Sequence, residues 1–307
     1  MIYYEIENKT KEACTLALGY FDGVHIGHEK VINAALKCAR EKKIECAVFT
    51  FTDKKRLCKK KSERGEVYIR ERSVEKIKNM GVDFLIMPDF EDFCALSPSE
   101  FVSILCKNFG VKAFFCGEDY RFGKNAAGNV ETLKKEAEKY GAEVFAVVKV
   151  QLDGEEVSST SVTQAIKDGN MPLVKKYLLR NYSIKGTVVG GKHIGKKRLY
   201  PTINLPFEKQ SVVPKNGVYA SRVRVEGECF LAVTNVGHSP TVDGGTENVV
   251  CESYIIDKAL DLYDKEVEVE FIKFIRDEIK FDSIEALKNQ IDADIMAAKK
   301  IGCEEDA

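Results

Sequence analysis

The sequence predicts an α/β domain with a parallel sheet, followed by a small antiparallel β-barrel with a C-terminal helix. Three observations support this fold class: the length of 307 residues, the alternation of apolar runs with amphipathic stretches in the first half, and the closely spaced strands of the second half. A chain of this length usually contains two domains. We place the boundary at residue 182, so that the predicted domains are residues 1–182 and 183–307.

Short apolar runs in the first half predict buried strands, and the stretches between them predict helices. The amphipathic stretch Glu29–Arg40 predicts one helix. The sequence S-P-S-E at residues 97–100 is a capping box that opens a second helix, running to about Asn108. Asn129 caps a third helix, which ends at Gly141. Alternation of this kind indicates a parallel sheet covered on both faces. The predicted strands are Thr15–Leu18, Cys46–Phe51, Phe84–Met87, Ala113–Cys116 and Val144–Val148.

Strands at closer spacing mark the second half and predict a small antiparallel barrel. Glu226 and Gly227 are suited to a tight hairpin turn. A final helix is predicted after Asp282 or Ser283, with one apolar stripe that docks on the barrel. Two short helices, Thr163–Lys167 and Met171–Leu179, are predicted between the halves. The predicted strands are Ile184–Val189, Val218–Val225, Cys229–Val233, Val249–Ile256 and Val267–Ile275, and the stripe is Ile284, Leu287, Ile291, Ile295 and Ala298.

The composition excludes several classes of protein. The formal net charge is −1, so the chain lacks the basic excess usual in proteins that bind nucleic acid. No apolar stretch approaches the length of a membrane span, and the N-terminus shows no signal-peptide pattern. The ten cysteines include no C-x-x-C pair, which favours reduced thiols in a cytosolic protein over zinc or dithiol sites. The lysine-rich run Asp53–Arg64 is expected to be a solvated loop. We therefore expect a cytoplasmic protein with no nucleic-acid, membrane or obligate protein partner.

The segment Leu18–His28, L-G-Y-F-D-G-V-H-I-G-H, joins the first predicted strand to the first predicted helix. Gly23 and Gly27 allow the backbone to approach a ligand closely, and the helix start offers free N–H groups and a positive dipole end. His25 and His28, two of only four histidines, are placed to donate hydrogen bonds to phosphate oxygens as charge builds during phosphoryl or nucleotidyl transfer. On this motif alone, a pair of surface histidines in a glycine-rich turn stays open as an alternative.

A glycine-rich and basic segment in the second half, residues 186–205, is suited to lie over nucleotide phosphates. Thr202 and Asn204 alternate in an extended part of it, so both side chains point to the same face. A hydroxyl oxygen and an amide oxygen are suitable ligands for Mg²⁺. Composition alone favours the alternative, an ordinary loop that leads to an edge strand.

The motifs of the first half resemble the FMN adenylyltransferase half of the bacterial bifunctional FAD synthetases. The matches are G-Y-F-D-G-V-H-I-G-H at residues 19–28, G-E-D-Y-R-F-G at residues 117–123 and V-S-S-T at residues 157–160. This resemblance implies a Rossmann-like nucleotidyltransferase domain with catalytic residues His25 and His28. The phosphate-binding residues that it implies are Gly19, Phe21, Asp22, Gly23, Gly27, Ser158, Ser159 and Thr160, and the flavin-binding residues are Asp119, Tyr120, Arg121 and Phe122.

The first half also departs from the pattern of this family. The family usually has an arginine on the ATP phosphates at the position of Thr163, and T-F-x-P-H-P where this chain has T-F-T-D-K-K at residues 50–55. Loss of a phosphate-facing charge weakens stabilisation of the transition state. Arg121, Lys124 and Lys54 are the candidates to replace the missing arginine.

The motifs of the second half resemble riboflavin kinase. The segments G-T-V-V-G-G at residues 186–191, P-T-I-N-L at residues 201–205 and N-G-V-Y-A at residues 216–220 occur in the order of that family, and further matches extend to residue 281. The resemblance implies a six-stranded barrel with Glu252 as the catalytic base. It also implies Thr202 and Asn204 as metal ligands, ATP contacts from Gly190, Lys192, Gly195, Lys196, Gly217 and Tyr219, and flavin contacts from Arg276 and Phe281.

The predicted function is phosphorylation of riboflavin to FMN, then adenylation of FMN to FAD with release of pyrophosphate. ATP is the expected co-substrate and Mg²⁺ the expected cofactor of both steps, so the expected partners are riboflavin, FMN, FAD and ATP. One alternative keeps the kinase and treats the adenylyltransferase domain as weak or inactive. A second is a flavin-binding or flavin-sensing protein without turnover, which has no use for the combination of His25, His28, Thr202, Asn204 and Glu252.

Overall fold

The computed structural model describes residues 2–4, 12–52, 65–68, 70–189, 200–208, 211–239, 248–258 and 260–306. The chain forms two compact units, Met1–Ser161 and Val162–Ala307. The lysine-rich run at residues 53–64 and most of the glycine-rich loop, residues 190–199, lie outside the described residues. None of the helices in the described ranges combines the length and the hydrophobicity that spanning a bilayer requires.

The first unit is built on six strands, β1 (Ile2–Tyr4), β2 (Cys14–Leu18), β3 (Glu45–Phe49), β4 (Phe84–Ile86), β5 (Val111–Gly117) and β6 (Glu143–Val147). They form a parallel sheet in the order β1-β4-β3-β2-β5-β6, which confirms the predicted parallel sheet. Every residue of the central strand β2 is buried, because this strand is covered on both faces. A small hairpin, β7 (Gln151–Leu152) and β8 (Glu155–Glu156), follows the edge strand β6.

Helices pack against both faces of this sheet. They are α1 (Ile26–Lys42), α2 (Arg70–Asn79), α3 (Phe90–Cys94), α4 (Pro98–Phe109) and α5 (Val130–Glu138). One hydrophobic cluster joins the sheet to α4 and α5, and another joins its opposite face to α1 and α2. The predicted capping box of α4 is confirmed, since Ser97 Oγ accepts from the Glu100 N–H at 3.3 Å and the Glu100 carboxylate accepts from the Ser97 N–H at 2.8 Å. Asn129 caps α5 as predicted.

The second unit is built on β9 (Tyr182–Thr187), β10 (Thr202–Pro206), β11 (Gly217–Val225), β12 (Glu228–Ser239), β13 (Asn248–Ile255) and β14 (Glu266–Arg276). These strands form an antiparallel sheet in the order β10-β13-β12-β11-β14-β9. The Val189 N–H donates to the Asn204 carbonyl at 3.0 Å, and this bridge brings the two ends of the curled sheet together. Val225 pairs with Glu228, and φ at Glu226 and Gly227 is 51° and 84°, which confirms the predicted hairpin turn.

Two short helices precede these strands, α6 (Ser159–Lys167) and α7 (Met171–Leu178), and the division between the units falls within α6. The Ile166 carbonyl accepts from the Lys215 N–H at 3.3 Å, and α7 packs on β9 and β14. The predicted boundary at residue 182 therefore lies after two helices that pack with the second sheet. The apolar residues that α7 buries are Met171, Val174, Tyr177 and Leu178.

The C-terminal helix α8 (Ile284–Asp306) confirms the predicted helix but only part of its predicted docking. Ala298 is fully buried, and Ile295 packs in the same cluster against the sheet. Ile284 and Leu287 are instead 56% and 39% exposed. The expectation that the whole stripe docks on the barrel is therefore wrong, because the first turns of α8 stand beside an open cavity rather than on the strands.

Removal of α6 and α7 should destabilise the second unit. A fragment of residues 158–307 keeps both helices, whereas a fragment of residues 183–307 loses the four apolar side chains that α7 buries. We expect the shorter fragment to have a free energy of unfolding lower by more than about 3 kcal/mol, since burial of each such side chain contributes about 1.5–3 kcal/mol. Urea unfolding followed by circular dichroism measures the difference. Equal midpoints for the two fragments would contradict this packing role.

Candidate active sites

The first unit contains a cavity of about 220 Å³ at the carboxyl ends of β2, β5 and β6. Binding sites of open parallel sheets lie at this edge, where the strands end and the helices begin. Its walls come from the segments after β2 and β5 and from the start of α6. The predicted site residues among them are Gly19, Phe21, His25, Gly27, His28, Asp119, Tyr120, Ser158 and Ser159.

Two helices begin at this cavity, and both are capped. His25 precedes α1, and its Nδ1 accepts from the His28 N–H at 3.4 Å. Ser158 precedes α6, and its Oγ accepts from the Ser161 N–H at 3.1 Å, while Ser161 Oγ accepts from the Ser158 N–H at 2.8 Å. Helix starts present N–H groups and the positive end of the helix dipole, so two of them at one cavity favour an anionic ligand.

The two histidines are stacked on each other. Their ring centroids are 3.6 Å apart with an angle of 21° between the planes, and the Phe21 ring meets His28 edge-on at 5.3 Å. His25 is buried, at 5% exposure. Because its Nδ1 accepts a hydrogen bond, Nε2 carries the proton of the neutral ring and is the donor. Stacking and capping therefore hold His25 in one orientation.

The turn between β2 and α1 has a strained backbone. Phe21, Gly23 and Val24 have φ of 54°, 71° and 43°, and a positive φ at a β-branched residue such as Val24 is an outlier. Strain of roughly 1–3 kcal/mol per residue persists only where the surroundings impose it. Here Asp22 Oδ1 accepts from the Val67 N–H at 2.9 Å, and the Gly23 N–H donates to Ser73 Oγ at 3.3 Å.

Arg70, at the start of α2, holds the same turn from the other side. Its guanidinium donates to the Tyr20 carbonyl at 2.7 Å and to Thr50 Oγ1 at 3.3 Å, and lies 4.1 Å from the centre of the Tyr20 ring. Burial raises the pKa of Tyr20 above its usual value, so the phenol stays neutral beside the arginine. Sequence reasoning did not single out Arg70, which lies far from the turn in the chain.

The second unit contains a larger cavity, of about 500 Å³, between the sheet and the first turns of α8. Large apolar side chains on its rim are exposed: Ile279 by 51%, Ile284 by 56% and Leu287 by 39%. Cavities for small ligands are typically 300–1,000 Å³ with mostly apolar walls and a few polar groups. The volume and the walls therefore fit a flat, largely apolar molecule.

Glu252 is the acidic group on the β13 wall of this cavity. It lies directly opposite Asn204 of β10 on one side and Asn235 of β12 on the other. Thr202 Oγ1 donates to Glu252 Oε1 at 2.6 Å, a short hydrogen bond to a charged acceptor. Thr202 and Asn204 alternate in β10, which confirms that both side chains share one face of the strand.

An ion pair joins α8 to β14 at the same cavity. Arg276 Nε lies 2.9 Å from Asp294 Oδ1, and Arg276 Nη2 lies 2.7 Å from Asp294 Oδ2, so the contact is bidentate. Asp294 is only 2% exposed, and Gln290 also donates to it at 3.0 Å. Phe281 lies 5.9 Å from the Arg276 guanidinium. This pair fixes the first half of α8 beside Glu252.

The chain is similar to known proteins along nearly its whole length. A model of the FAD synthetase family matches residues 7–161, and a model of the riboflavin kinase family matches residues 178–302. A bifunctional riboflavin kinase/FMN adenylyltransferase from Listeria monocytogenes is 33% identical over 91% of this chain and 89% of its own length, and one from Escherichia coli is 32% identical over 97% and 95%. The chain belongs to the bifunctional riboflavin kinase/FMN adenylyltransferase family.

A solved structure shares the fold of the whole chain. It is described as a macrolide-efflux protein from Streptococcus pneumoniae, is 31% identical to this chain and superposes with a TM-score of 0.87, over 97% of this chain and 99% of that one. The match to FAD synthetase covers the unit with the histidine cavity, and the match to riboflavin kinase covers the strands around Glu252. The two family matches thus fall on the two units, and each unit contains one of the cavities.

The structure divides the residues predicted for the adenylyltransferase into two groups. Most line the cavity, as described above. Asp22 and Gly23 are buried and hold the turn, and Thr160 and Arg121 are exposed. Phe122 is buried in the core, with its ring 5.1 Å from that of Phe101. The binding roles of all the residues predicted for this site stay predictions.

Some of the residues predicted for the kinase line its cavity, and others do not. Thr202, Glu252, Arg276 and Phe281 line one cavity. Tyr219 is fully buried and its hydroxyl donates to the Lys215 carbonyl at 2.5 Å, while a Cβ on Gly217 would lie 2.5 Å from the Arg276 carbonyl. Both therefore have packing roles in this structure, and their ATP contacts stay predictions. The remaining ATP residues, Gly190, Lys192, Gly195 and Lys196, lie outside the described residues.

Several further residues line the cavities without having been singled out, among them Lys149 and Glu156 in the first cavity and Tyr254 and Asp294 in the second. Asp294 had a signal in the sequence, since it is an aspartate between Ile291 and Ile295 in the apolar stripe of α8. No signal in the sequence indicated Lys149, because only the fold brings this residue to the cavity with the histidines.

Substitution Asp294→Asn should leave the partly buried Arg276 guanidinium without its carboxylate. We expect the free energy of unfolding to fall by about 3 kcal/mol, because breaking a buried ion pair leaves an uncompensated charge. Asp292→Asn is the matched control on the same helix: Asp292 is exposed and accepts from the Tyr200 hydroxyl, so the expected loss is less than about 1 kcal/mol. Urea unfolding of both variants measures the difference, and equal losses would contradict the role of the pair.

Proposed function

We propose that this chain makes FMN from riboflavin and ATP at the cavity of its second unit, and FAD from FMN and a second ATP at the cavity of its first unit. One observation carries the kinase step: Glu252, hydrogen-bonded to Thr202 and opposite Asn204, stands on the wall of a mostly apolar cavity of about 500 Å³. The exposed apolar rim fits the isoalloxazine ring, and a carboxylate at this place fits the ribityl end.

The kinase step needs a base for a weak nucleophile. The ribityl 5′-hydroxyl attacks the γ-phosphorus of ATP in line, and Glu252 accepts the proton that the hydroxyl loses. The bond from the γ-phosphorus to the bridging oxygen breaks, and ADP leaves. Arg276 is held by Asp294 on the wall of the same cavity and keeps α8 against the flavin.

The residues beside Glu252 fit a magnesium ion. Thr202 and Asn204 offer a hydroxyl and an amide oxygen from one face of β10, and hard oxygen donors of this kind suit Mg²⁺. The Thr202 hydroxyl donates a hydrogen bond to Glu252, so the lone pairs of Thr202 Oγ1 stay available to a cation. When bound, the ion neutralises charge on the β- and γ-phosphates of ATP. We propose Thr202 and Asn204 as its protein ligands.

The adenylation step needs stabilisation of negative charge more than a base. An oxygen of the FMN phosphate attacks the α-phosphorus of ATP, and pyrophosphate leaves. The N–H groups at the starts of α1 and α6 and the stacked His25 and His28 surround one cavity, and they are placed to donate to phosphate oxygens as charge develops. The rigid turn before α1 keeps these donors in place before ATP arrives.

Substitution Glu252→Gln should reduce kcat for FMN formation by about 100-fold or more, because the amide keeps the size of the side chain and removes the base. The KM for ATP should change little. Glu266→Gln is the control: Glu266 lies on β14, pairs with Lys185 at 2.8 Å on the surface, and should leave FMN formation unchanged. Chromatographic separation of FMN from riboflavin gives the rates. Near-normal kcat in Glu252→Gln would rule out the assigned base.

Substitution His28→Ala should reduce FAD formation by about 100-fold or more while FMN formation continues at the normal rate, since the two cavities lie in different units. The assay supplies FMN and MgATP for FAD, and riboflavin and MgATP for FMN. FMN formation by the same sample is the internal control for folding. If the wild type makes FMN but no FAD under any condition, the alternative of a kinase alone is correct.

A further inference from the structure

The first cavity lacks the arginine that the family usually places on the ATP phosphates. Thr163 occupies that position, is uncharged and is only 3% exposed. Of the predicted replacements, Arg121 and Lys124 are exposed on the loop after β5, and Lys54 lies outside the described residues. A triphosphate carries several negative charges, so a cation at the cavity strengthens its binding.

Lys149 is the one lysine or arginine, within the described ranges, that lines the cavity with the histidines. It lies just after β6, and its side chain is 31% exposed. Its Nζ is 2.6 Å from Glu156 Oε1 and 2.9 Å from Asp119 Oδ2, and both carboxylates line the same cavity. The hydrogen bonds that the Lys149 ammonium donates, first to Glu156 and second to Asp119, raise the pKa of Lys149 above its usual value, so the ammonium keeps its charge at neutral pH.

The two carboxylates increase the contribution that Lys149 makes to the binding of an anionic substrate. A carboxylate at a phosphate site repels the ligand unless a cation stands beside it. With Lys149, the three side chains carry a net charge of −1; without it, the charge is −2, facing an anionic substrate. The carboxylates also hold the ammonium at the cavity wall, beside the starts of α1 and α6, before any nucleotide binds.

We propose that Lys149 is the cation that binds the triphosphate of ATP in the adenylation site, and that Asp119 and Glu156 position its ammonium group there. This inference rests on the proposed adenylyltransferase function of the first unit. Phosphate groups reach the cavity in both ATP and FMN. The triphosphate is the assigned partner, because Lys149 shares its cavity with both helix starts and both histidines.

A purely structural role of Lys149 predicts different effects of its substitution. If Lys149 only ties the end of β6 to the hairpin β7–β8, loss of Lys149 and loss of Glu156 disrupt the same bridge and act in the same direction. If Lys149 binds phosphate, the two losses act in opposite directions. Removal of the lysine then weakens ATP binding, whereas removal of the Glu156 charge strengthens it.

The test compares four full-length variants with the wild type in steady-state FAD formation. Lys149→Met keeps the aliphatic length and should raise the KM for ATP about tenfold or more, since it removes the hydrogen bond from the charged ammonium to a phosphate oxygen. Lys149→Arg should stay within about threefold of wild type, and Glu156→Gln should lower the KM for ATP. Lys134→Met is the matched control, because Lys134 pairs with Glu131 on the surface of α5. FMN formation should be unchanged in all four.

Four other results of these assays would contradict the proposal. An unchanged KM for ATP in Lys149→Met, with FAD formed by the wild type, removes the lysine from the site. A rise in the KM for FMN alone assigns Lys149 to the other phosphate and overturns the triphosphate assignment. A rise in the KM for ATP in both Lys149→Met and Glu156→Gln leaves only a structural bridge. If the wild type forms no FAD, the proposed function itself fails, and the inference fails with it.

Discussion

Charged groups removed from water must find partners, and this constraint shapes both cavities. In the first unit Arg70 is 5% exposed and bonds the Tyr20 carbonyl, which ties α2 to the strained turn before α1. In the second, Asp294 is 2% exposed and bonds Arg276, which ties α8 to β14. The first contact holds the turn that leads to the histidines, and the second holds α8 at the wall of the cavity that Glu252 lines. Both contacts form within the protein itself.

Features with a local cause could be predicted from the sequence. The capping box at residues 97–100, the cap at Asn129 and the turn at Glu226 and Gly227 each depend on a few neighbouring residues. The common face of Thr202 and Asn204 follows from the alternation of side chains in any strand. The pairing of Glu252 with that face does not follow from any local pattern. Only the order of the motifs along the chain indicated Glu252, since an isolated glutamate in a strand is usually solvated.

Features that depend on distant contacts could not be predicted. Helix α2 has only two buried apolar residues, Val74 and Ile77, too few to show a period, and its role depends on Arg70 reaching the turn before α1. Lys149 reaches the histidines only through the order of strands in the sheet. In the sequence, the first turns of α8 have the apolar spacing of a helix that packs on a sheet. This spacing shows which residues are apolar, but it does not show whether the sheet covers them.

The exposed apolar rim of the second cavity couples the proposed flavin binding to the stability of the fold. Ile279, Ile284 and Leu287 expose apolar surface to water, and in the proposed function a flavin covers them in the folded state alone. Mass action then lowers the population of unfolded chains as riboflavin or FMN accumulates. On this proposal, the free energy of unfolding of the second unit rises with the concentration of free flavin.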